Sequence, residues 1–517
     1  MKRLAIIFLF FVCSFSVIAQ SKEWVKLMKK EAAFYFKNED YYNALNFYNR
    51  IITADSKDEE AHILAVYSKF KLSYPLDSFL NHQTELINSK KADAKYCLAK
   101  IKHQQKEFDE SIKILKECIK ISSKKRAVGD SEINYMIAVN ANAKQFTYNP
   151  HRSVIKNIGK AINTSYPEYV PVVSSDENSL YFTSRREGGI NNKKDQFGFY
   201  HEDIYVSHKV NNVWQTAENI GKPVNTEDDD GCVAMTPDGY KMIVYRSTPD
   251  GINGNLYLTK LNDQNKWEVP TVLGLEVNSQ YHESSACFTN DTSEMYFCST
   301  RPGGYGGKDI YRIKRLPNGK WSAAYNLGPT INTVHDEESP YMHVDGSTFY
   351  FSSKGHNSMG EYDVYRCSFN HDTNQFFKAE NLGYPINTVG NDVFFVLNVN
   401  GQKGYYSSYK EDSYGSTDIY EIDTRFGDND LKVKSGFLFK DNVLGKGKIT
   451  LLDNESNKVA GIYNSNPKTG KFILVVNPLK SYKAIIQEDG YQGVVLELEP
   501  IAFEKQETEL EIKLLKK

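Results

Sequence analysis

The sequence predicts a multidomain chain, α-helical towards its N-terminus and all-β beyond: a helical-repeat solenoid, a five-bladed β-propeller and a small β-sandwich. Three observations predict it. A helical pattern runs from Lys22 to about Phe146 with the single proline Pro75, one sequence unit then recurs five times, and from about Leu431 strands alternate to the end. A chain of 517 residues exceeds what one hydrophobic core supports. Charged residues make up 25%, hydrophobic residues 40%, and the net charge is −2, which fits globular domains and excludes a strongly basic nucleic-acid-binding surface.

Residues 1–19 read as a secretory signal peptide. Lys2 and Arg3 precede an apolar run from Leu4 to Val12, and Val17-Ile18-Ala19 offers a cleavage site near Ala19. The run is shorter than the roughly 20 residues that cross a bilayer, so an exported, periplasmic protein with no transmembrane segment is expected, possible attachment being peripheral to the outer membrane. Cys13 lies inside the apolar run without a small-residue pair before it, so lipidation is not expected. Cleavage leaves 61 basic and 65 acidic residues, which argues against a polybasic membrane-binding surface. Of the six remaining cysteines none forms a CxxC pair, and zinc or dithiol redox chemistry is not expected. Cys287 and Cys298 flank a hairpin; a disulfide and two packed thiols are both open readings.

The helical region, 22–146, is internally repetitive. Phe34, Tyr42, Ala44, Leu45 and Tyr48 occupy the packing positions of a tetratricopeptide-like helix pair, and Tyr96, Ala99, Phe108, Ser111, Ile112 and Leu115 repeat them less cleanly. Stacked pairs of this kind form a solenoid whose concave face binds other polypeptides. A plain helical bundle is the alternative.

The propeller spans 152–427. Its markers are Ile158-Gly159 with Asn163, Ile220-Gly221 with Asn225, Leu273-Gly274 with Asn278, Leu327-Gly328 with Asn332, and Leu382-Gly383 with Asn387, the asparagines 62, 53, 54 and 55 residues apart. After each marker come a strand, a turn such as Pro237-Asp238-Gly239, an aromatic strand such as Leu180-Tyr181-Phe182, a loop, and a third strand opening Asp203-Ile204-Tyr205 or its equivalent. Trp214, Trp267, Trp321 and Phe376 or Phe377 mark a fourth. Four short strands per unit define a propeller blade, because radial repetition hides sheet edges. The last copy lacks a fourth strand, whereas Ser153 to Ile158 supplies one before the first, so this early strand is expected to close the ring. The β-sandwich occupies 431–517, with strands Lys448–Leu452 and Lys471–Val475 around the turn Pro467-Lys468-Thr469-Gly470.

Ile158-Gly159 through Tyr166, Tyr169, Pro171-Val172, Asp176 and Leu180 to Arg185 resembles the WD40-like, TolB-related propeller repeats of Bacteroidetes envelope proteins. Gly436, Thr450 to Asp453, Gly470-Lys471-Phe472, Tyr482 and Gly490-Tyr491 are similar to the carboxypeptidase-regulatory-like, transthyretin-like sandwich. Helical repeats, propeller and sandwich in this order resemble OmpA-family subunits of the type IX secretion and gliding apparatus. Their C-terminal OmpA-like domain does not follow before Lys517, so peptidoglycan binding is not expected. The resemblance implies a non-enzymatic scaffold that binds other envelope proteins through its helical repeats and propeller.

The alternative is a glycan-binding or glycan-processing propeller. Neither Gly-x-Ser-x-Gly nor His-Glu-x-x-His is present, and His282-Glu283 lacks a second histidine. A substrate pocket requires polar residues clustered asymmetrically, whereas a scaffold tolerates their repetition round the ring; the insertion Glu187 to Glu202 is the one clear asymmetry. Arg185, Arg246, Arg301 and Lys354 end second strands, and the opposed pairs Arg185–Asp203, Arg301–Asp309 and Lys354–Asp363 are expected as cross-hairpin fold determinants of about 0.2–1 kcal/mol each. Five acids, Glu168, Asp230, Glu283, Glu337 and Asp392, stand five residues after the marker asparagines, forming a ring at one end of the channel. Pointing inward, they would hold a cation, water or a basic partner segment; pointing sideways, they would accept backbone hydrogen bonds from the neighbouring blade. No other cofactor or metal is expected.

Overall fold

The computed structural model describes residues 22–72, 74, 76–125, 127–151, 153–195, 198–248, 253–423, 432–477, 480–500 and 509–517. The expected signal peptide and the junction between propeller and sandwich lie outside the described residues. The chain divides into two compact units, 1–145 with 194–199, and 146–193 with 200–517.

In the first unit α1 (Lys22–Lys37), α2 (Tyr41–Ala54) and α3 (Glu59–Lys71) pack in sequence, followed by α4 (Gln83–Asn88), α5 (Ala92–Gln104), α6 (Phe108–Ile119) and α7 (Asp130–Tyr148). Asp40 and Asp58 start α2 and α3 by accepting the amides of Asn43 and Ala61, each at 3.0 Å. Ala44, Leu45 and Tyr48 are buried in one core, and Tyr96, Ala99 and Leu115 in a second. Phe34 departs from the expectation and is 62% exposed. Val25, Met28, Ala32 and Tyr35 form the stripe of α1 that packs on this core, and Phe34 lies roughly 100° round the helix from Tyr35. No described helix is long and apolar enough to cross a membrane.

The second unit begins with β1 (Val154–Asn157). Sheet 1 contains β2 (Glu168–Val173), β3 (Ser179–Ser184), β4 (Asp203–Val210), β5 (Val213–Trp214) and β6 (Glu218–Asn219). Sheet 2 contains β7 (Asp230–Met235), β8 (Lys241–Ser247), β9 (Gly254–Lys260) and β10 (Thr271–Val272); sheet 3 contains β11 (Ala286–Phe288), β12 (Glu294–Ser299), β13 (Asp309–Lys314) and β14 (Tyr325–Asn326). Sheet 4 contains β15 (Glu337–Met342), β16 (Thr348–Ser353), β17 (Asp363–Asn370), β18 (Gln375–Phe376) and β19 (Glu380–Asn381); sheet 5 contains β20 (Val393–Leu397), β21 (Lys403–Ser408) and β22 (Asp418–Asp423). The innermost strands β2, β7, β11, β15 and β20 adjoin in that order and β20 returns to β2, which makes the sheets a β-propeller. Val170, Ser339 and Phe394 adopt positive φ at bulges in three of these strands, re-aiming the side chains beyond them.

Each sheet interface buries its own apolar cluster, such as Ile162, Leu180, Phe182, Tyr205 and Ile419 between sheets 5 and 1. Strand β1 completes sheet 5 by pairing antiparallel with β22, Asn157 opposite Tyr420. Asn219, Asn326 and Asn381 stand opposite Tyr205, Tyr311 and Tyr365 in the same way. The early strand therefore occupies the position that β6, β14 and β19 fill elsewhere. A chain that begins at Asn163 is expected to melt well below one that begins at Ser153, because loss of β1 strips β22 of its partner. Equal melting temperatures would remove the closing role of β1.

Cys287 stands opposite Tyr296, and Cys298 opposite Ile310, so the hairpin does not pair them. Both are free and buried, and burial pushes the Cys287 thiol up to about 12.

The C-terminal sheets contain β23 (Lys432–Lys440), β24 (Val443–Leu444), β25 (Lys448–Asp453), β26 (Val459–Asn464), β27 (Lys471–Val476), β28 (Tyr482–Gln487), β29 (Val494–Leu498) and β30 (Leu510–Leu514). One has the order β24-β23-β27 with β30 parallel to β23; the other is β26-β25-β28-β29. Leu438, Ile449, Leu451, Phe472 and Ile486 share their core. The turn at 467–470 connects strands of different sheets. Val399 of the propeller joins this core, and Asn466 Nδ2 donates to the Asp238 carbonyl at 2.7 Å.

Candidate functional site

Asp230 and Glu337 begin innermost strands, and the repeat places the other marker acids at the same end of the ring. All five are fully buried, but they turn sideways into the frame. Glu168 accepts the amide and hydroxyl of Thr164, both at 2.7 Å, and the Ser184 hydroxyl at 2.8 Å. Thr226, Ser279, Thr333 and Thr388 serve Asp230, Glu283, Glu337 and Asp392 likewise. The sideways expectation is thus corrected in its donor: each acid secures a turn of its own copy, not the backbone of the neighbouring blade. The inward, cation-holding geometry is not formed. Among the described residues no group of three or more His, Cys, Asp or Glu side chains could hold a metal ion.

The asparagines make the joints between sheets. Asn332 Oδ1 accepts the Ile310 amide at 2.8 Å while its Nδ2 donates to the Ile310 carbonyl at 3.0 Å. Asn163 and Asn225 grip Ile419 and Ile204 in the same two-bond way, Asn278 grips Leu256, and Asn387 grips Val364. These residues had been legible only as markers.

The predicted cross-hairpin pairs are not formed. The residue opposite Asp203, Asp309 or Asp363 is Ser184, Ser299 or Ser353, and the basic side chain lies beyond that serine. It folds back towards the marker acid: Arg301 Nη2 lies 3.3 Å from Glu283, Arg246 Nε 2.6 Å from Asp230, and Arg186, in place of Arg185, 3.1 Å from Glu168. Arg185 Nε donates to the Tyr200 carbonyl at 2.8 Å, and Lys354 pairs with Asp336 at 3.1 Å. The released aspartates hold loop amides: Asp203 accepts from Ile190, Asp309 from Tyr305, and Asp363 from Met359, each at 2.6 Å.

On this repeating frame sits a set that does not repeat. The residues after the marker acids are Tyr169, Gly231, Ser284, Glu338 and Val393, and those before the third strands are Glu202, Asn253, Lys308, Tyr362 and Thr417. The backbone brings the two sets together across the joints, as where the Glu337 amide meets the Lys308 carbonyl at 2.8 Å. Between sheets 3 and 4 the outcome is a cluster: Lys308 Nζ bonds Glu338 and, at 3.0 Å, Ser284 Oγ, which donates to Glu338 at 2.8 Å. Tyr245 Oη lies 3.4 Å from His282 Nε2, the rings edge to face at 5.8 Å. Burial alone would raise the Glu338 carboxyl, but Lys308 outweighs it and holds the group below its usual range. Burial first, and Lys308 next, lower His282, keeping it neutral. Between the innermost strands runs a cavity of about 90 Å³ lined by Val170, Val172, Met342 and Phe394.

No family model matches the chain, and no curated protein matches it. Solved structures do match in fold. An endo-arabinase from Bacteroides thetaiotaomicron is 12% identical with a TM-score of 0.35, covering 52% of this chain and 98% of its own. An α-L-arabinofuranosidase from Lactobacillus brevis is 12% identical at a TM-score of 0.34, covering 51% and 92%. An α-L-arabinanase from Penicillium chrysogenum is 8% identical at 0.33, covering 53% and 99%. The likeness is one of propeller fold and does not support the secretion or gliding identity. The expectation of a non-enzymatic protein-binding scaffold is corrected: these three solved structures are named as enzymes, and prolyl oligopeptidases and a puromycin-hydrolysing peptidase match as well.

Proposed function

We propose that this chain is an exported, carbohydrate-binding β-propeller with five blades, flanked by tetratricopeptide-like helices and a transthyretin-like sandwich. The observation that supports the function is the non-repeating cluster of Tyr245, His282, Ser284, Lys308 and Glu338 on an otherwise repeating frame. A sugar presents hydroxyls that both donate and accept, and C–H faces that lie against rings. Lys308 donates, ionised Glu338 accepts, neutral His282 and the hydroxyls of Tyr245 and Ser284 do both, and the Tyr245 ring offers a face. Ionised Glu338, paired with Lys308, is suited to accepting hydrogen bonds from sugar hydroxyls.

Calorimetric titration with a panel of neutral oligosaccharides tests this reading, with reducing-end release measured in parallel. His282→Ala is expected to weaken binding about tenfold, or 1.4 kcal/mol, with little change in melting temperature. Absence of binding to every oligosaccharide, or equal affinity in the variant, would overturn it.

A further inference from the structure

The joints between sheets bring buried carboxylates together, and they differ in how that charge is neutralised. At three joints the aspartate opening a third strand interacts with the marker acid of the next sheet: Asp203 with Asp230, Asp309 with Glu337, Asp363 with Asp392. Gly254 removes the first member between sheets 2 and 3. Guanidinium groups neutralise Asp230 and Glu168. Asp309 has both oxygens satisfied, Oδ2 by the Tyr305 amide and Asn326 and Oδ1 by the Gly306 amide at 2.9 Å.

The joint between sheets 4 and 5 has neither remedy. Asp363 and Asp392 are both fully buried. Asp363 Oδ2 accepts from the Met359 amide at 2.6 Å and Asn381 at 2.8 Å, but its Oδ1 is buried without a hydrogen-bond partner. Asp392 accepts three bonds, from the Thr388 amide and hydroxyl and the Ser408 hydroxyl. The groups facing the pair are Ser358 on the Asp363 side, and Tyr406 and Lys410 on the Asp392 side. Lys410 is the cation of this set, and its ammonium donates to the Pro385 carbonyl at 3.0 Å. A buried carboxylate oxygen with no donor, near a second carboxylate, is unfavourable as an anion, and protonation removes the charge.

We propose that Asp363 is protonated in the folded ring, so that the joint between sheets 4 and 5 buries one anion rather than two and alkaline pH loosens the ring at this place. Burial pushes the Asp363 carboxyl well above its ordinary range, and Asp392 adds to the rise. Ionisation releases the proton to water and leaves two buried anions side by side. The sign is that of a raised acid: stability is lost as pH rises through the folded-state value.

Infrared spectra of the full chain at about pH 8 test the proposal. Asp203 and Asp418 titrate at about 6 and Glu337 at about 7, below that pH. The wild type is expected to keep a carboxylic-acid carbonyl band that Asp363→Asn lacks. Asp363→Asn, which is neutral at every pH, should lose less stability than the wild type between about pH 8 and 10. Asp392→Asn, which removes the neighbouring anion, should shift the Asp363 band to titrate at lower pH. An unchanged band in Asp363→Asn, or an unchanged alkaline slope, would overturn the proposal.

Discussion

An Asn332→Ala variant is expected to lose about 2–3 kcal/mol of stability. Asn332 is almost fully buried, and its side chain continues the hydrogen-bonding edge of β13 where no further strand is available. Alanine leaves the Ile310 amide without a partner, takes one of two donors from the Ile310 carbonyl, which keeps the Leu327 amide at 3.1 Å, and removes the donor to Asn326 Oδ1 at 2.8 Å. Each orphaned buried group costs about 1–3 kcal/mol, and no compensating apolar contact is gained. Asn332→Asp should be nearly as damaging, since it restores the acceptor but places a charge against a carbonyl. Urea unfolding followed by circular dichroism measures both. A loss below about 1 kcal/mol would mean that these asparagines mark the repeat without joining the sheets.

The second large effect is on pH dependence and centres on Glu337. Burial raises this carboxyl to about 7, and the nearby Asp309 adds to the rise, while donors from Ser353 and Thr333 oppose it. Where Arg301 Nη2 reaches the Val277 carbonyl and Glu283, sheet 4 has His356, whose Nε2 lies 2.9 Å from the equivalent Ile331 carbonyl. With a folded value above the unfolded one, the proton is bound more tightly in the native state, so the contribution of Glu337 to stability is fully present below about pH 4.5 and is lost as pH rises through about 7. The rise corresponds to about 3 kcal/mol across that interval. Glu337→Gln should flatten the decline by that amount, and His356→Arg should reduce it by restoring the guanidinium. Melting curves from pH 4 to 8 on the three proteins decide the matter. Identical slopes in wild type and Glu337→Gln would show that Glu337 carries no excess proton.

The ring was legible because its repeat places the same chemistry at the same offset five times, and because a missing fourth strand in the last copy had a matching surplus before the first. The acids were legible as a set for the same reason. Their partners were not. Arg301 has two candidate carboxylates, Glu283 and Asp309, and only the hairpin register, which puts Ser299 opposite Asp309, decides between them. Asn157, Asn219, Asn326 and Asn381, two residues before the marker glycines, carried a readable signal in the repeat alignment, yet their task of holding the loop aspartates appears only when the strands are paired. The candidate site was least legible. Lys308 and Glu338 are 30 residues apart and belong to different copies, so nothing in either copy announces their meeting. Domain order pointed to a scaffold, but order records neighbours along the chain, whereas binding chemistry depends on what meets across the joints.

The pairing of β1 with β22 joins the first strand of the ring to its last, across nearly the whole length of the propeller. Such a contact pays the entropy of closing a very long loop and is rewarded only after the intervening sheets exist. Closure is therefore a late event in folding, and until it occurs β22 presents an open edge. A chain synthesised from its N-terminus holds β1 idle while the sheets form one after another.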